Sequence, residues 1–128
     1  SINIRLHKFL NKNNPQESSK LKKLFLKSHY FVLFSKAEAH GLVLVEASAF
    51  GLPKVINNIG GMTSLVTDKR DGFIFDINSN PKNIALKIKN NFESTRKYIN
   101  YSKNSYEFFN KSLSKKTIIK ALNEILRS

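Results

Sequence analysis

The chain of 128 residues contains no cysteine. Disulfides and thiolate metal sites are excluded with it, and a reducing compartment fits. No apolar run approaches the ~20 residues that a membrane-spanning helix needs. The nearest, 41–53, is interrupted by Glu46. Low-complexity tracts, internal repeats and clear linkers are also missing. Acidic residues are few: 9 against 22 basic ones, a formal charge of +13. The excess is spread evenly, with 9 basic and 3 acidic groups in 1–64 and 13 and 6 in 65–128. Such a field attracts polyanions. Lysine, asparagine and isoleucine are all abundant, however, as an AT-rich coding sequence would make them. No aromatic-rich signature of the RRM type interleaves with the basic residues, so nucleic acid is not the expected partner.

What is present is an ordinary globular composition, 41% hydrophobic and 24% charged, in a length that suits one domain, 1–128. Short β-rich runs alternate with helical stretches, which predicts an α/β fold with a parallel sheet. Ile2 to Phe9 reads as a first strand. It has nothing before it to pair with, and the chain starts on Ser1, so a piece of a longer protein is expected. Asn14-Pro15-Gln16-Glu17 reads as a helix start, with Asn as N-cap, Pro in the first turn and Glu17 placed to close a capping box. Leu21, Leu24 and Phe25 continue it. Tyr30 to Phe34 is a continuous apolar run, expected of a strand covered on both faces. A polar loop, Ser35 to His40, leads to Gly41 and a second helix, Leu42 to Phe50, stopped by Gly51 and Pro53. Val55-Ile56 is a short buried strand. Gly60-Gly61 turns into a short helix around Met62 to Val66, and Asp71-Gly72 turns into the strand Phe73 to Asp76. The remainder is helical. One helix starts at Asn80-Pro81 with Ile84, Ala85, Ile88 and Phe92 as its apolar side, and a polar-rich one runs from Ser94 to about Phe109. Ser114 caps a last one with Ile118, Ile119, Leu122, Ile125 and Leu126 as its buried stripe.

The chemistry lies in Phe31 to Pro53, FVLFSKAEAHGLVLVEASAFGLP. A strand ends, a loop carries Glu38, Gly41 permits close backbone approach, and a helix begins. Ligands of doubly wound sheets bind beyond the carboxyl ends of the strands, and a helix start there suits a phosphate. Glu46 is the one charged residue of an otherwise apolar helix. A buried carboxylate needs hydrogen-bond donors. A ribose diol offers two, about one turn beyond the phosphate-binding end.

Glu38 and Glu46 have seven residues between them. The frame Ser35-x-x-Glu38-x-x-Gly41-Leu42-Val43-x-x-Glu46-Ala47-x-Ala49-x-Gly51-x-Pro53 resembles the E-x7-E signature of retaining, GT-B-fold glycosyltransferases of the group 1 type. Gly60-Gly61, Leu65-Val66 and Gly72-Phe73 recur at that family's usual offsets, so the resemblance covers nearly the whole chain. It implies a Rossmann-like parallel sheet flanked by helices: the carboxy-terminal, nucleotide-sugar-binding half of a GT-B enzyme without its opening strands. It also implies sugar transfer, with retention, from a nucleotide-diphosphate sugar to a saccharide or lipid-linked acceptor. Glu38 would lie against the transferred sugar and steady charge at the anomeric carbon. His40, Gly41, Leu42 and Val43 would bind the diphosphate and the edge of the sugar, and Glu46 the ribose hydroxyls. No metal or other cofactor is expected, since basic residues and helix dipoles stabilise the leaving diphosphate in such enzymes. UDP is the expected nucleotide. The glycine-rich loop, the Arg/Lys clamp and the acceptor-binding amino-terminal domain would belong to preceding parts of the same protein, and the fragment alone would be inactive. Polysaccharide biosynthesis is the expected setting, in the cytoplasm, with peripheral contact at the inner face of the membrane for a lipid acceptor.

The frame departs from the family at Phe34, where proline is usual, at Ala39 and His40, and at Ser64, where Glu is common. The changes at Phe34, Ala39 and His40 remove no side-chain donor that the chemistry needs, and Ala39 restricts the loop backbone. Two other readings stay open: a basic polyanion- or nucleic-acid-binding module, and a non-catalytic glycosyltransferase-like domain. A lone histidine is more often incidental than catalytic, and His7 and His29 have no partner constellation.

Overall fold

A computed structural model of the chain describes residues 4–7, 10–11, 13–35 and 42–112, together with 119, 123 and 126. Helix α1, Pro15–Lys27, opens as its sequence dictates. The Asn14 side chain accepts from the backbone N–H groups of Gln16 and Glu17, and proline occupies the first turn. The capping box does not close. Glu17 Oε2 accepts from Asn11 N–H at 3.2 Å, while Asn14 N–H is taken by the Asn11 carbonyl. The strand expected over Ile2 to Phe9 is not formed at 4–7, where Ile4 is 74% and Leu6 94% exposed. Alternation alone does not make a strand; its backbone needs a neighbouring ladder.

Three parallel strands, β1 Phe31–Leu33, β2 Lys54–Asn57 and β3 Gly72–Phe75, form a sheet in the order β1-β2-β3. β2 is central and buried at all four residues. β1 is not covered on both faces as its apolar run suggested. Val32 is 49% exposed, because no described element packs over it on an edge strand. The register splits the sheet side chains between two cores. Leu33, Ile56 and Ile74 meet Leu44, Met62 and Val66 on one side. Val55, Phe73 and Phe75 meet Ile84, Ile88 and Tyr101 on the other. A Cβ at Gly72 would sit 1.9 Å from the Lys54 carbonyl oxygen, so glycine is what lets β3 approach β2 there.

Helix α2, Leu42–Ala49, follows β1. It ends in a Schellman motif: Gly51 has φ +68°, Leu52 N–H bonds the Ala47 carbonyl, and Gly51 N–H bonds the Ser48 carbonyl. A 3-10 turn, Gly60–Leu65, contains the glycine pair and seats Met62 in the core. Helix α3, Pro81–Glu93, is capped by the Asn80 side chain. Of its expected apolar side, Ile84 and Ile88 pack inward, whereas Phe92 is 47% exposed and stands edge-on to His29 and Tyr98.

Helix α4, Thr95–Ser112, crosses the amino edge of the whole sheet. Tyr98 donates to the His29 carbonyl just before β1. Ser102 and Ser105 donate to the Gly51 and Leu52 carbonyls just before β2, and Asn104 to the Arg70 carbonyl just before β3. The loop carbonyls of three strands are thereby satisfied by one polar-rich helix, which explains its composition. Most of the last stripe, with Ser114, Ile118, Leu122 and Ile125, lies outside the described residues. Ile119 and Leu126, which it places inside, are 46% and 81% exposed. No helix among the described residues is long and apolar enough to cross a membrane.

Candidate functional site

Because the strands are parallel, their carboxyl ends lie on one edge, opposite α4. Phe34 and Ser35 leave β1 there, Asn57 ends β2, and Asp76 follows β3. Of the residues singled out from sequence, Glu38, His40 and Gly41 lie outside the described residues. Leu42, Val43 and Glu46 belong to α2, which starts beyond this edge. Leu42 is 70% exposed. Glu46, one turn on and on the same side, is half-buried. The apolar sequence of α2 suggests a helix buried all round, and the structure corrects this. Leu44, Ala47 and Ser48 face the core, while the Leu42–Glu46 side faces outward. The helix is apolar on an open side as well as on its packed one. Its first turn carries no acidic side chain that would oppose an anion at its positive end.

One group at this edge had no role in the sequence reading. Asn57 is 7% exposed, and its side chain binds Ser35 twice. Oδ1 accepts from Ser35 N–H at 3.0 Å, and Nδ2 donates to the Ser35 carbonyl at 2.6 Å. The trace in the sequence is a polar residue directly after the apolar pair Val55-Ile56. A cavity of about 880 Å³ lies on the α3 side of the same edge, bounded by Phe34, Ser35, Asn57, Phe75, Asp76 and Ile84. Among the described residues, no group of three or more His, Asp or Glu is arranged to hold a metal ion.

A buried ion pair sits at the other edge. Lys54 and Asp71 are buried where β2 and β3 begin, with Lys54 Nζ 3.7 Å from Asp71 Oδ2. Nζ also donates to the Leu65 carbonyl and lies 4.3 Å from the centre of the Phe108 ring. Asp71 Oδ1 accepts from Thr67 N–H at 2.7 Å. Burial pushes the lysine pKa below its ordinary value, against the pull of Asp71. It pushes the aspartate above its own, against Lys54 and the Thr67 N–H. This pair fastens β2, β3 and α4 together. β2 separates it from the carboxyl edge, by roughly 10 Å at the usual rise per residue. It is structural.

The comparisons with known proteins bear on the whole described fold. The family model for glycosyl transferases group 1 matches residues 6–108. The D-inositol 3-phosphate glycosyltransferase of Paenarthrobacter aurescens (strain TC1) is 36% identical over 62 residues, which are 48% of this chain and 15% of that protein. The UDP-Gal:alpha-D-GlcNAc-diphosphoundecaprenol alpha-1,3-galactosyltransferase of Escherichia coli is 41% identical over 51 residues, 40% of this chain and 13% of that protein. The crystal structure of Anabaena Alr3699/HepE in complex with UDP and glucose superposes with a TM-score of 0.72 at 23% identity, over 88% of this chain and 35% of that one. The GtfA/B complex gives 0.69 at 24%, over 84% and 22%. The matched stretches thus span about a seventh of the curated relatives and about a quarter to a third of the solved chains. The α/β architecture, a parallel sheet flanked by helices, is that of GT-B glycosyltransferases. With the family model covering most of its length, the chain belongs to the glycosyl transferases group 1 family.

Proposed function

We propose that the chain supplies part of the donor site of a glycosyltransferase that moves a sugar from a nucleotide-diphosphate sugar to a saccharide or lipid-linked acceptor. The observation that carries this is the placement of α2. Its first turn lies beyond the carboxyl edge of a parallel sheet, and one side carries an exposed Leu42 and, a turn later, Glu46. The partial positive charge at the start of α2 suits a diphosphate. Glu46 is then at the distance of a ribose, whose two hydroxyls donate to a carboxylate. Glu38, three residues beyond Ser35 in the frame that resembles E-x7-E, is the candidate catalytic residue. It accepts hydrogen bonds from the sugar and stabilises charge growing at the anomeric carbon. His40, Gly41, Leu42 and Val43 are the backbone contacts to the diphosphate. Retention follows from same-face attack by the acceptor. The UDP held by the Anabaena protein and the UDP-sugar named for the Escherichia coli relative support uridine as the base. The lipid-linked acceptor named for the latter supports a peripheral membrane setting. The rest of the donor clamp and the acceptor site would come from other parts of the full-length protein.

The test is a titration of the full-length protein with UDP, GDP and ADP, followed by NMR of selectively labelled residues. Shifts at 38–46 with UDP alone are expected. Glu46→Ala removes hydrogen bonds to a charged acceptor, worth about 1.5–3 kcal/mol, and donor affinity should fall about 10- to 100-fold. Glu38→Ala should lower turnover by about 10²–10³ with donor affinity little changed. Wild-type behaviour in both variants would remove the assignment. Binding of nucleic acid that falls steeply with salt and ignores both glutamates would replace it with a polyanion-binding role, the reading that the +13 charge favours.

A further inference from the structure

The β1–β2 ladder ends at the pair Leu33 and Ile56. Beyond it the main chain of β2 has no group left for β1. Asn58 N–H bonds the Phe75 carbonyl of β3, and Ile59 N–H turns back to the Asn57 carbonyl. Ser35 is the second residue past the last paired residue of β1. The Asn57 side chain takes over. Its amide has one acceptor and two donors, and it spends one of each on the N–H and C=O of a single residue, at 3.0 and 2.6 Å. A flipped amide would set like against like at both contacts, so the orientation is determined. Asn57 is almost fully buried, which limits the competition from water for its amide. Ser35 is the last described residue before 36–41 and stands three positions before Glu38.

We propose that Asn57 is a positioning residue for the transfer reaction: its side-chain amide clamps both main-chain groups of Ser35 and so fixes the point from which the chain departs toward Glu38. The proposal rests on the donor-site reading above. Asn57 acts through the backbone of Ser35 and touches no substrate. A rigid departure point matters because a displacement of about 1 Å at a catalytic group lowers rates about 100-fold. Glu46 is carried by α2 and is anchored independently, by Leu44 and Ala47 in the core. Loss of the clamp therefore acts on turnover and leaves nucleotide binding in place.

The experiment compares Asn57→Leu and Asn57→Asp with wild type in the full-length protein. Leu keeps the shape and removes both bonds. Asp keeps the acceptor for Ser35 N–H and sets a carboxylate oxygen against the Ser35 carbonyl, so it reads the clamp even if the Leu variant folds poorly. Three quantities are measured: hydrogen exchange of the Ser35 amide, the Kd for UDP, and kcat against KM for the UDP-sugar. The expected result in both variants is a kcat about 10- to 100-fold lower, with Kd and KM within about twofold. Exchange at Ser35 should be at least about tenfold faster in the Leu variant, and the Asp variant should fall between it and wild type. Unchanged exchange in the Leu variant overturns the clamp. Faster exchange with wild-type kcat overturns the positioning role. Full turnover in Glu38→Ala overturns instead the donor-site reading, and Ser35 exchange still reports on the clamp by itself.

Discussion

Lys54 Nζ and Asp71 Oδ2 face each other across 3.7 Å with neither side chain more than 3% exposed, at the place where β2 and β3 begin. A buried ion pair contributes little net stability, but removing one partner strands the other. Such changes destabilise by about 3–5 kcal/mol. Lys54→Met should fall in this range, because Asp71 loses its cationic partner and keeps backbone N–H contacts such as that of Thr67. Adding Asp71→Asn to Lys54→Met removes the stranded charge. The double variant should be more stable than Lys54→Met alone, a non-additivity that urea unfolding of the four proteins measures directly. Additive losses would mean that the two groups are not coupled.

The same pair gives a pH dependence of defined sign. Asp71 has a raised pKa in the fold, mainly from burial. From the ordinary carboxylate range up to that raised value, the folded state binds more protons than the unfolded one, so stability falls as pH rises. Lys54 has a lowered pKa, again mainly from burial. From that lowered value up to the ordinary lysine range, the unfolded state binds more protons, so stability rises with pH. The stability of wild type minus that of Lys54→Met/Asp71→Asn should therefore be least between these two ranges and climb toward both ends. A flat difference across the pH range would show that neither group is shifted.

Much of this fold was open to reading from local chemistry. Asn14-Pro15 and Asn80-Pro81 mark helix starts by caps that the structure forms, and Gly51-Leu52-Pro53 marks a stop that becomes a Schellman motif. Those signals are carried by neighbours in the chain. What escaped depends on neighbours in space. The alternation of Ile4 and Leu6 looks like a strand, but a strand exists only where a second backbone completes it. Val32 sits in an apolar run, yet β1 is an edge strand among the described residues. Lysine at 54 reads as solvated until β2 proves central, and only then does Asp71, seventeen residues away, become its partner. At the site, the frame around Glu46 was legible as a pattern of residue types. The Asn57–Ser35 clamp was not, because it joins the ends of two strands that the chain separates by 22 positions.

Two glycines separate steric from conformational demands. At Gly72 an added Cβ meets main chain at 1.9 Å, and a carbonyl in the central strand has nowhere to go. Gly72→Ala should destabilise by about 3 kcal/mol or more. At Gly51 the nearest atom is Ser102 Oγ at 3.2 Å, and the difficulty is the left-handed φ of +68°. Gly51→Ala should cost about 1–2 kcal/mol. Thermal unfolding ranks the two, and equal losses would refute the distinction.

The last prediction concerns α4, which meets the sheet through hydroxyls and amides as much as through apolar contact. Ser105 is fully buried, and its Oγ donates to the Leu52 carbonyl at 2.8 Å, just beyond the end of α2. Ser102 does the same for Gly51 at 2.7 Å from a half-buried position. Replacing Ser105 by Ala leaves a carbonyl in the interior without its donor, a loss of about 1–3 kcal/mol. Replacing Ser102 should cost less, because water can reach the Gly51 carbonyl from the open side. Neither change touches the carboxyl edge, so UDP affinity at temperatures well below unfolding should stay within about twofold in both variants. Unfolding midpoints and UDP titrations on the same samples decide the matter. A large loss of UDP affinity in folded Ser105→Ala would mean that the amino edge, where α4 lies, is coupled to the donor site through β2, and the separation of the two edges argued from the sheet would have to be abandoned.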